Sequence, residues 1–181
     1  VPFIPAIDNV AQHLAGVRAA GVENLMLGWT LGGHPSPNIA AVGEIFSGGS
    51  LATLAARRHG AAQAAEAVKF WQECSAAFRE FPFHGSVVYR APLQTGPANP
   101  LWVAPTGYKA TMVGFPYDDV DGWRAVYPAP VFAGQLEKVA TGFDAAIAHL
   151  RAARPQPAEA LAEEVRFAEV AAIHFASAAE Q

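Results

Sequence analysis

The sequence contains few charged residues and almost no cysteine. Of its 181 residues, 15% are charged and one is a cysteine, whereas 52% are hydrophobic. A single cysteine excludes a disulfide scaffold, and the large hydrophobic fraction excludes a disordered chain. With a net charge of -4, the chain also lacks the basic surface that nucleic-acid binding requires. The composition therefore predicts a globular protein with a substantial core and no nucleic-acid partner.

Signatures of membranes, metals and cofactors are missing as well. No apolar run reaches the roughly 20 residues of a transmembrane helix, and no signal-peptide pattern opens the sequence. We therefore expect a soluble chain without a membrane partner, in a compartment that the sequence does not specify. The six histidines lack metal-ligand spacing, and no nucleotide-binding or nucleophile motif is present. From these absences we expect no metal and no cofactor. The lone Cys74 is interpreted as a core residue.

Helical periodicity dominates the pattern that is present. Apolar residues recur at helical spacing over residues 8–20, 37–58 and 61–80, then from Phe132 to Leu150 and from Leu161 to Phe175. The pair Gly48-Gly49 interrupts the second of these segments. Because a link of only a few residues joins the last two helices, we expect them to pack antiparallel.

One segment has the pattern of a buried strand. Residues 22–29 form an apolar run without alternation, which is typical of a parallel strand covered on both faces. Together with the extended residues 1–5 and the helix at 8–20, it predicts a βαβ unit whose partner strands come from elsewhere. The absent initiator Met and the helical pattern that continues to Gln181 indicate a piece of a longer protein.

The segment 81–130 has the composition of a long loop. It holds eight of the 14 prolines and five of the 16 glycines. Only three short extended stretches are predicted within it, at 86–89, 101–103 and 110–113. Since long loops in compact domains are usually functional, we expect this segment to form a binding surface.

Candidate binding residues follow the predicted strand. Trp29, His34 and Asn38 lie at its carboxyl end, where parallel α/β folds bind their substrates. A tryptophan ring can stack on the C–H face of a sugar, and His34 and Asn38 can exchange hydrogen bonds with hydroxyls. Two structural alternatives stay open, in which Trp29 fills the core and His34 has a satisfied structural role.

A second candidate is the acidic run that begins after Tyr117. Asp118, Asp119 and Asp121 lie close together, and Trp123 follows them. Clustered carboxylates can bind sugar hydroxyls or a cation, although the downstream glutamate of a calcium loop is missing. An N-cap of a short helix through Trp123 explains the same residues equally well.

Several of these segments resemble a known group of proteins. The run from Leu25 to Asn38 resembles the last barrel strand of bacterial proteins related to TIM-barrel glycoside hydrolases, and the nearest named group is the β-hexosaminidase-like family 20 superfamily. Residues 70–83, 96–99 and 110–119 resemble the region that follows the barrel in those proteins. The resemblance spans roughly residues 1–178.

The resemblance implies a mainly α fold with a small α/β part. Residues 1–47 would be the last βα units of a truncated (β/α)8 barrel, and residues 48–181 a helical C-terminal domain that includes the loop-rich segment. The chain would be part of a carbohydrate-active glycoside hydrolase, inactive alone, with its catalytic carboxylates outside this sequence. The substrate-binding residues would be Trp29, His34, Asn38, Asn99, Tyr117, Asp118, Asp119 and Trp123.

A non-catalytic alternative remains. The chain could be a helical interaction module that self-associates through the apolar surface of the barrel remnant.

Overall fold

The computed structural model describes residues 3–27, 35–91, 104–111 and 118–181. Within these ranges the regular structure is entirely helical. The α-helices are α1 (Ile7–Ala19), α2 (Pro37–Phe46), α3 (Leu51–His59), α4 (Ala64–Phe78), α5 (Gly85–Arg90), α6 (Val120–Trp123), α7 (Ala129–Ala153) and α8 (Glu159–Glu180), and a 3-10 turn, Ala61–Gln63, precedes α4. None of the helices in the described ranges has the length and hydropathy needed to cross a membrane.

Local side-chain chemistry fixes several helix ends. At the start of α3 the Ser50 hydroxyl accepts the Thr53 N–H at 3.2 Å, and the Thr53 hydroxyl accepts the Ser50 N–H at 2.9 Å. This reciprocal capping box satisfies two backbone donors that the helix itself cannot satisfy. Gly60 ends the same helix with φ +82°, a left-handed conformation that suits glycine. The local sequence therefore determines where α3 begins and where it ends.

The centre of the core lies between α4, α7 and α8. The Phe143 ring on α7 and the Phe175 ring on α8 have centroids 6.3 Å apart, and Arg151 pairs with Glu169 nearer the connecting link. These pairings place α7 and α8 antiparallel, as the short link predicts. Ile7 and Ala41 belong to the same buried cluster. The first two helices thus share a core with the last two.

A buried carboxylate joins three helices. Glu164 on α8 is 4% exposed and accepts two hydrogen bonds from Arg58 on α3, at 3.1 and 2.9 Å. Its other oxygen accepts the Trp71 indole N–H on α4 at 2.7 Å. The His59 Nε2 atom lies 3.4 Å from the same carboxylate. Because a buried charge is costly unless it is hydrogen-bonded, this cluster holds α3, α4 and α8 in one arrangement.

The prediction of a terminal βα unit of a TIM barrel is wrong for the described residues. The helix of that unit is present as α1, but residues 22–27 form no strand, and residues 28–34 lie outside the described ranges. Met26 is 95% exposed and Leu27 is 55% exposed. A strand requires a neighbour to satisfy its backbone groups, and no second strand occurs in the described part of the chain. The predicted burial of this segment is therefore wrong as well.

The loop-rich segment also differs from expectation. Residues 86–89 were predicted to be extended, but they lie inside the helix α5, with Val87 fully buried. The β-branched pair at residues 87 and 88 favoured a strand, whereas His84 caps a helix: its Nδ1 accepts the Ser86 N–H at 3.1 Å. Residues 110 and 111 are not in a strand, and 101–103 and 112–113 lie outside the described residues.

Candidate functional site

Half of the predicted site residues lie outside the described part of the chain, namely Trp29, His34, Asn99 and Tyr117. Two others, Asn38 and Trp123, make contacts within the fold. Asn38 lies in the first turn of α2, and its amide donates to the Ile4 carbonyl at 2.8 Å, which ties the N-terminal segment to the helix. Trp123 is fully buried in the core cluster. Its ring therefore offers no face on which a sugar could stack.

Asp118 anchors a neighbouring loop. Its carboxylate accepts the Thr106 backbone N–H at 2.8 Å and also the hydroxyl of the same residue. These hydrogen bonds from Thr106 lower the pKa of Asp118, because they favour the ionised form. The carboxylate of Asp118 is thus already hydrogen-bonded to Thr106, in the loop of residues 104–111.

Asp119 binds the same loop a few residues further on. One of its oxygens accepts the Lys109 ammonium at 3.1 Å, and the other accepts the Ala110 N–H at 3.0 Å. Partial burial acts to raise the pKa of Asp119, but the hydrogen bonds from Ala110 and Lys109 outweigh it, and the pKa is lowered. Asp119 also occupies the N-cap position of α6, without a side-chain capping bond. The two carboxylates act together as a clasp on residues 106–110.

The loop held by this clasp forms one wall of a cavity. The cavity has a volume of about 720 Å³ and lies between α5 and residues 110–111. It is widely open to solvent, and its lining consists of His84, Gly85, Ser86, Tyr89, Arg90, Ala110 and Thr111. Asp118 and Asp119 do not line it. Their contribution is to position the wall that does.

The lining combines one aromatic ring with several hydrogen-bonding groups. Tyr89 is 45% exposed. His84 uses Nδ1 to accept the Ser86 N–H, so its neutral ring carries the proton on Nε2 and can donate from there. Ser86 and Thr111 add hydroxyls, which can both donate and accept. A hydroxyl-rich ligand would find an apolar face and polar partners in the same cavity.

Arg90 differs from the other basic side chains of the protein. Ten of the twelve lysines and arginines form an ion pair with a carboxylate. Arg18 instead donates to the Ile45 carbonyl at 2.8 Å. Among the described residues Arg90 has neither an ion-pair partner nor a hydrogen-bond acceptor, and no carboxylate lines its cavity. Within the described part of the chain, the positive charge of Arg90 in this cavity is therefore not neutralised by a carboxylate.

Sequence reasoning missed the cavity because it treated residues 86–89 as extended. On a strand, Ser86 and Tyr89 would point to opposite faces, whereas on a helix residues three and four apart share a face. Ser86, Tyr89 and Arg90 have this helical spacing. The available signal was the helix-capping His84 followed by a turn of residues at i, i+3 and i+4.

Two observations concern metal-ligating side chains and the cysteine thiol within the described ranges. No group of three or more histidine, cysteine or carboxylate side chains there could hold a metal ion. Cys74 is fully buried on α4, and burial raises the pKa of its thiol well above the usual range. It packs in the core, in agreement with its interpretation from the sequence.

Comparison of the chain with protein-family models, with curated proteins and with solved structures found no match.

Proposed function

We propose that this chain binds carbohydrate, as part of a glycoside hydrolase-like protein, through the cavity between α5 and residues 110–111. The observation that carries the proposal is the half-exposed Tyr89 ring in a cavity that also presents His84, Ser86 and Thr111. Sugars offer apolar C–H faces and hydroxyl rims, and an aromatic ring beside hydroxyl and imidazole groups complements both.

The clasp supports a binding role for the loop. The preorganised wall at Ala110 and Thr111 loses little conformational freedom when a ligand arrives, because Asp118 and Asp119 already hold it. Two residues that the sequence marked as sugar ligands would thus serve the same site without touching the sugar.

The role we propose for the cavity is binding, not bond cleavage. Glycoside hydrolysis uses a carboxylic acid whose pKa is raised, together with a second carboxylate. No carboxylate lines the cavity within the described part of the chain. The nearby Asp118 and Asp119 have lowered pKa values, which is opposite to what a general acid needs.

Replacement of Tyr89 tests the proposal. The chain is first screened on an array of defined oligosaccharides of β-linked glucose, N-acetylglucosamine and uronate, and the tightest binder is measured by calorimetry. Tyr89→Ala should weaken binding about tenfold, because the stacking face and its buried area are lost. Tyr89→Phe, which keeps the ring, should retain most of the affinity.

Ile173→Ala is the control, since Ile173 is an exposed apolar side chain on α8 that belongs neither to the cavity lining nor to the clasped loop. It should bind like the unmodified chain. The proposal fails if no oligosaccharide on the array binds, or if Tyr89→Ala binds as tightly as the control.

Self-association is a second candidate function. The observation that favours it is the exposure of Leu25, Met26 and Leu27 in succession, of which Met26 is 95% exposed. Consecutive exposed apolar side chains mark contact surfaces more often than single ones do. A second copy of this chain could cover them.

A further inference from the structure

We infer that the sugar bound in this cavity is acidic and that Arg90 holds its carboxylate. This inference rests on the carbohydrate site proposed above and names the class of its ligand. It starts from the unneutralised charge of Arg90, which is unusual in a protein whose net charge is -4.

The pairing pattern shows how readily this chain neutralises its basic groups. Arg154 bonds Glu66 at 2.7 Å, and even the highly exposed Lys109 bonds Asp119 at 3.1 Å. Acidic residues outnumber basic ones by 16 to 12, so carboxylates are not scarce. Arg90 nevertheless has no carboxylate partner in the described ranges. A carboxylate carried by a ligand would complete the pattern.

The neighbours of Arg90 are suited to a ligand that is both anionic and hydroxylated. A guanidinium group can bind a planar carboxylate through two parallel hydrogen bonds, which fixes its orientation as well as its charge. Tyr89 precedes Arg90 on the same short helix, and the Ser86 and Thr111 hydroxyls line the same cavity. A ring that carries a carboxylate could therefore stack and pair at once, as a uronic acid does.

Other anions satisfy this geometry less well. A simple inorganic anion would use Arg90 and leave the Tyr89 ring without a contact. A neutral sugar could stack on Tyr89 but would leave Arg90 without a partner. Of these three classes of ligand, the acidic sugar is the one that engages both the Tyr89 ring and Arg90.

The test compares two trisaccharides that differ only at C6, a β-linked glucuronate trisaccharide and the β-linked glucose trisaccharide of the same linkage. Calorimetry at fixed ionic strength should show the uronate binding at least about tenfold more tightly, which is the size expected of a charged hydrogen-bonded pair. Arg90→Gln should remove that difference, so that the two trisaccharides bind with similar affinity. Arg90→Lys should keep part of the difference, since it retains the charge but not the fork.

Arg166→Gln is the matched control, because it removes the same charge from an arginine that pairs with Glu159 on α8. It should leave the preference for uronate intact. Sodium sulfate at the same ionic strength serves as a competitor and should displace the uronate poorly.

The outcomes separate this inference from the carbohydrate proposal. Equal binding of both trisaccharides, or a preference that survives in Arg90→Gln, overturns the acidic-sugar assignment and leaves the carbohydrate proposal standing. Sulfate that competes as well as uronate overturns it in favour of a general anion site. If neither trisaccharide binds, and none on the array does, both proposals fall.

Discussion

His174 lies in α8 with 4% of its surface exposed. Neither ring nitrogen has a hydrogen-bond partner among the described residues, and the ring meets that of Phe175 edge to face, with centroids 5.4 Å apart. Burial lowers the pKa of His174 to about 4, because the apolar surroundings disfavour the charged ring. The residue is therefore neutral in the folded protein over most of the physiological range.

This buried histidine predicts a loss of stability in mild acid. An unfolded histidine takes up a proton near pH 6.5, but folded His174 does so only near pH 4, so the unfolded state binds more protons between these values. Stability should therefore fall as the pH drops through this window, by about 2 kcal/mol between pH 7 and pH 5. Urea unfolding at the two pH values measures the loss.

His174→Leu should abolish most of this dependence, since leucine fills a similar volume and does not titrate. His149→Leu is the control, because His149 is exposed and pairs with Glu73. It should keep the acid sensitivity of the unmodified chain. Carboxylates with lowered pKa values, such as Glu44, lose their contribution to stability mainly below pH 5. They therefore do not obscure the effect of His174 between pH 7 and pH 5. An unchanged slope in His174→Leu would contradict the assignment.

Single residues differ in how far the sequence predicts their roles. Cys74 was predicted to be a core residue because a lone cysteine among apolar helix positions has few alternatives. Asp118 and Asp119 were left between binding and capping, because their hydrogen-bond partners lie some ten residues away and no local pattern links them. Arg90 was not among the predicted site residues, because the absence of an ion-pair partner is a property of the fold and does not show in the sequence.

Two helices of the core approach each other at a glycine. A Cβ atom added to Gly142 on α7 would lie 2.5 Å from the Cβ and 3.2 Å from the Cα of Ala77 on α4. Both distances are shorter than ordinary van der Waals contacts, and the Cα belongs to the backbone, which cannot rotate away. The contact between α4 and α7 therefore depends on the missing side chain.

Gly142→Ala should destabilise the protein by about 1–2 kcal/mol, since overpacking outweighs the gain in helix propensity. Gly134→Ala on the same helix is the matched control, because an added Cβ there meets nothing within 4 Å. It should stabilise by about 0.5–1 kcal/mol through propensity alone. Chemical denaturation gives the change in the free energy of unfolding for each variant, and the two changes should have opposite signs. Destabilisation of equal size at both positions would refute the packing argument.

Helices were easier to predict than the segments between them. The periodicity that marked α4, α7 and α8 continues over four to seven turns, and tertiary packing agrees with it. The helix α5 has only six residues, which are too few to show a helical period in the sequence. Its β-branched pair therefore favoured the prediction of a strand. Residues 22–27 contain only one β-branched residue, Val22, together with Glu23 and Asn24, so their composition gave weak support for a strand. A strand also needs a neighbour, and one sequence cannot supply that information.

Within the described residues, Leu25, Met26 and Leu27 are three consecutive exposed apolar side chains, and we expect them to govern the oligomeric state. If the segment formed by Leu25, Met26 and Leu27 pairs two copies, light scattering should show dimers whose fraction rises with concentration. Met26→Lys should weaken the dimer at least about tenfold, because it loses roughly 1.5–3 kcal/mol of apolar burial and introduces a charge into the contact.

Ile173→Lys provides the comparison, since Ile173 on α8 is also exposed, at 69%, but lies outside that segment. This variant should dimerise like the unmodified chain. A chain that stays monomeric at all concentrations, or two variants that weaken the dimer equally, would exclude self-association through residues 25–27.

The carboxylate clasp also affects how the sequence could change over evolution or in the laboratory. Thr106 and Asp118 are 12 positions apart, and Ala110 and Asp119 are nine apart, so both ends of the intervening segment are held by the clasp. Lengthening such a closed segment costs little, about 0.6 kcal/mol for each doubling of its length. Insertions and substitutions between the two anchors should therefore cost little folding free energy. The hydrogen bonds of Asp118 and Asp119 would keep residues 106–110 in place through such changes.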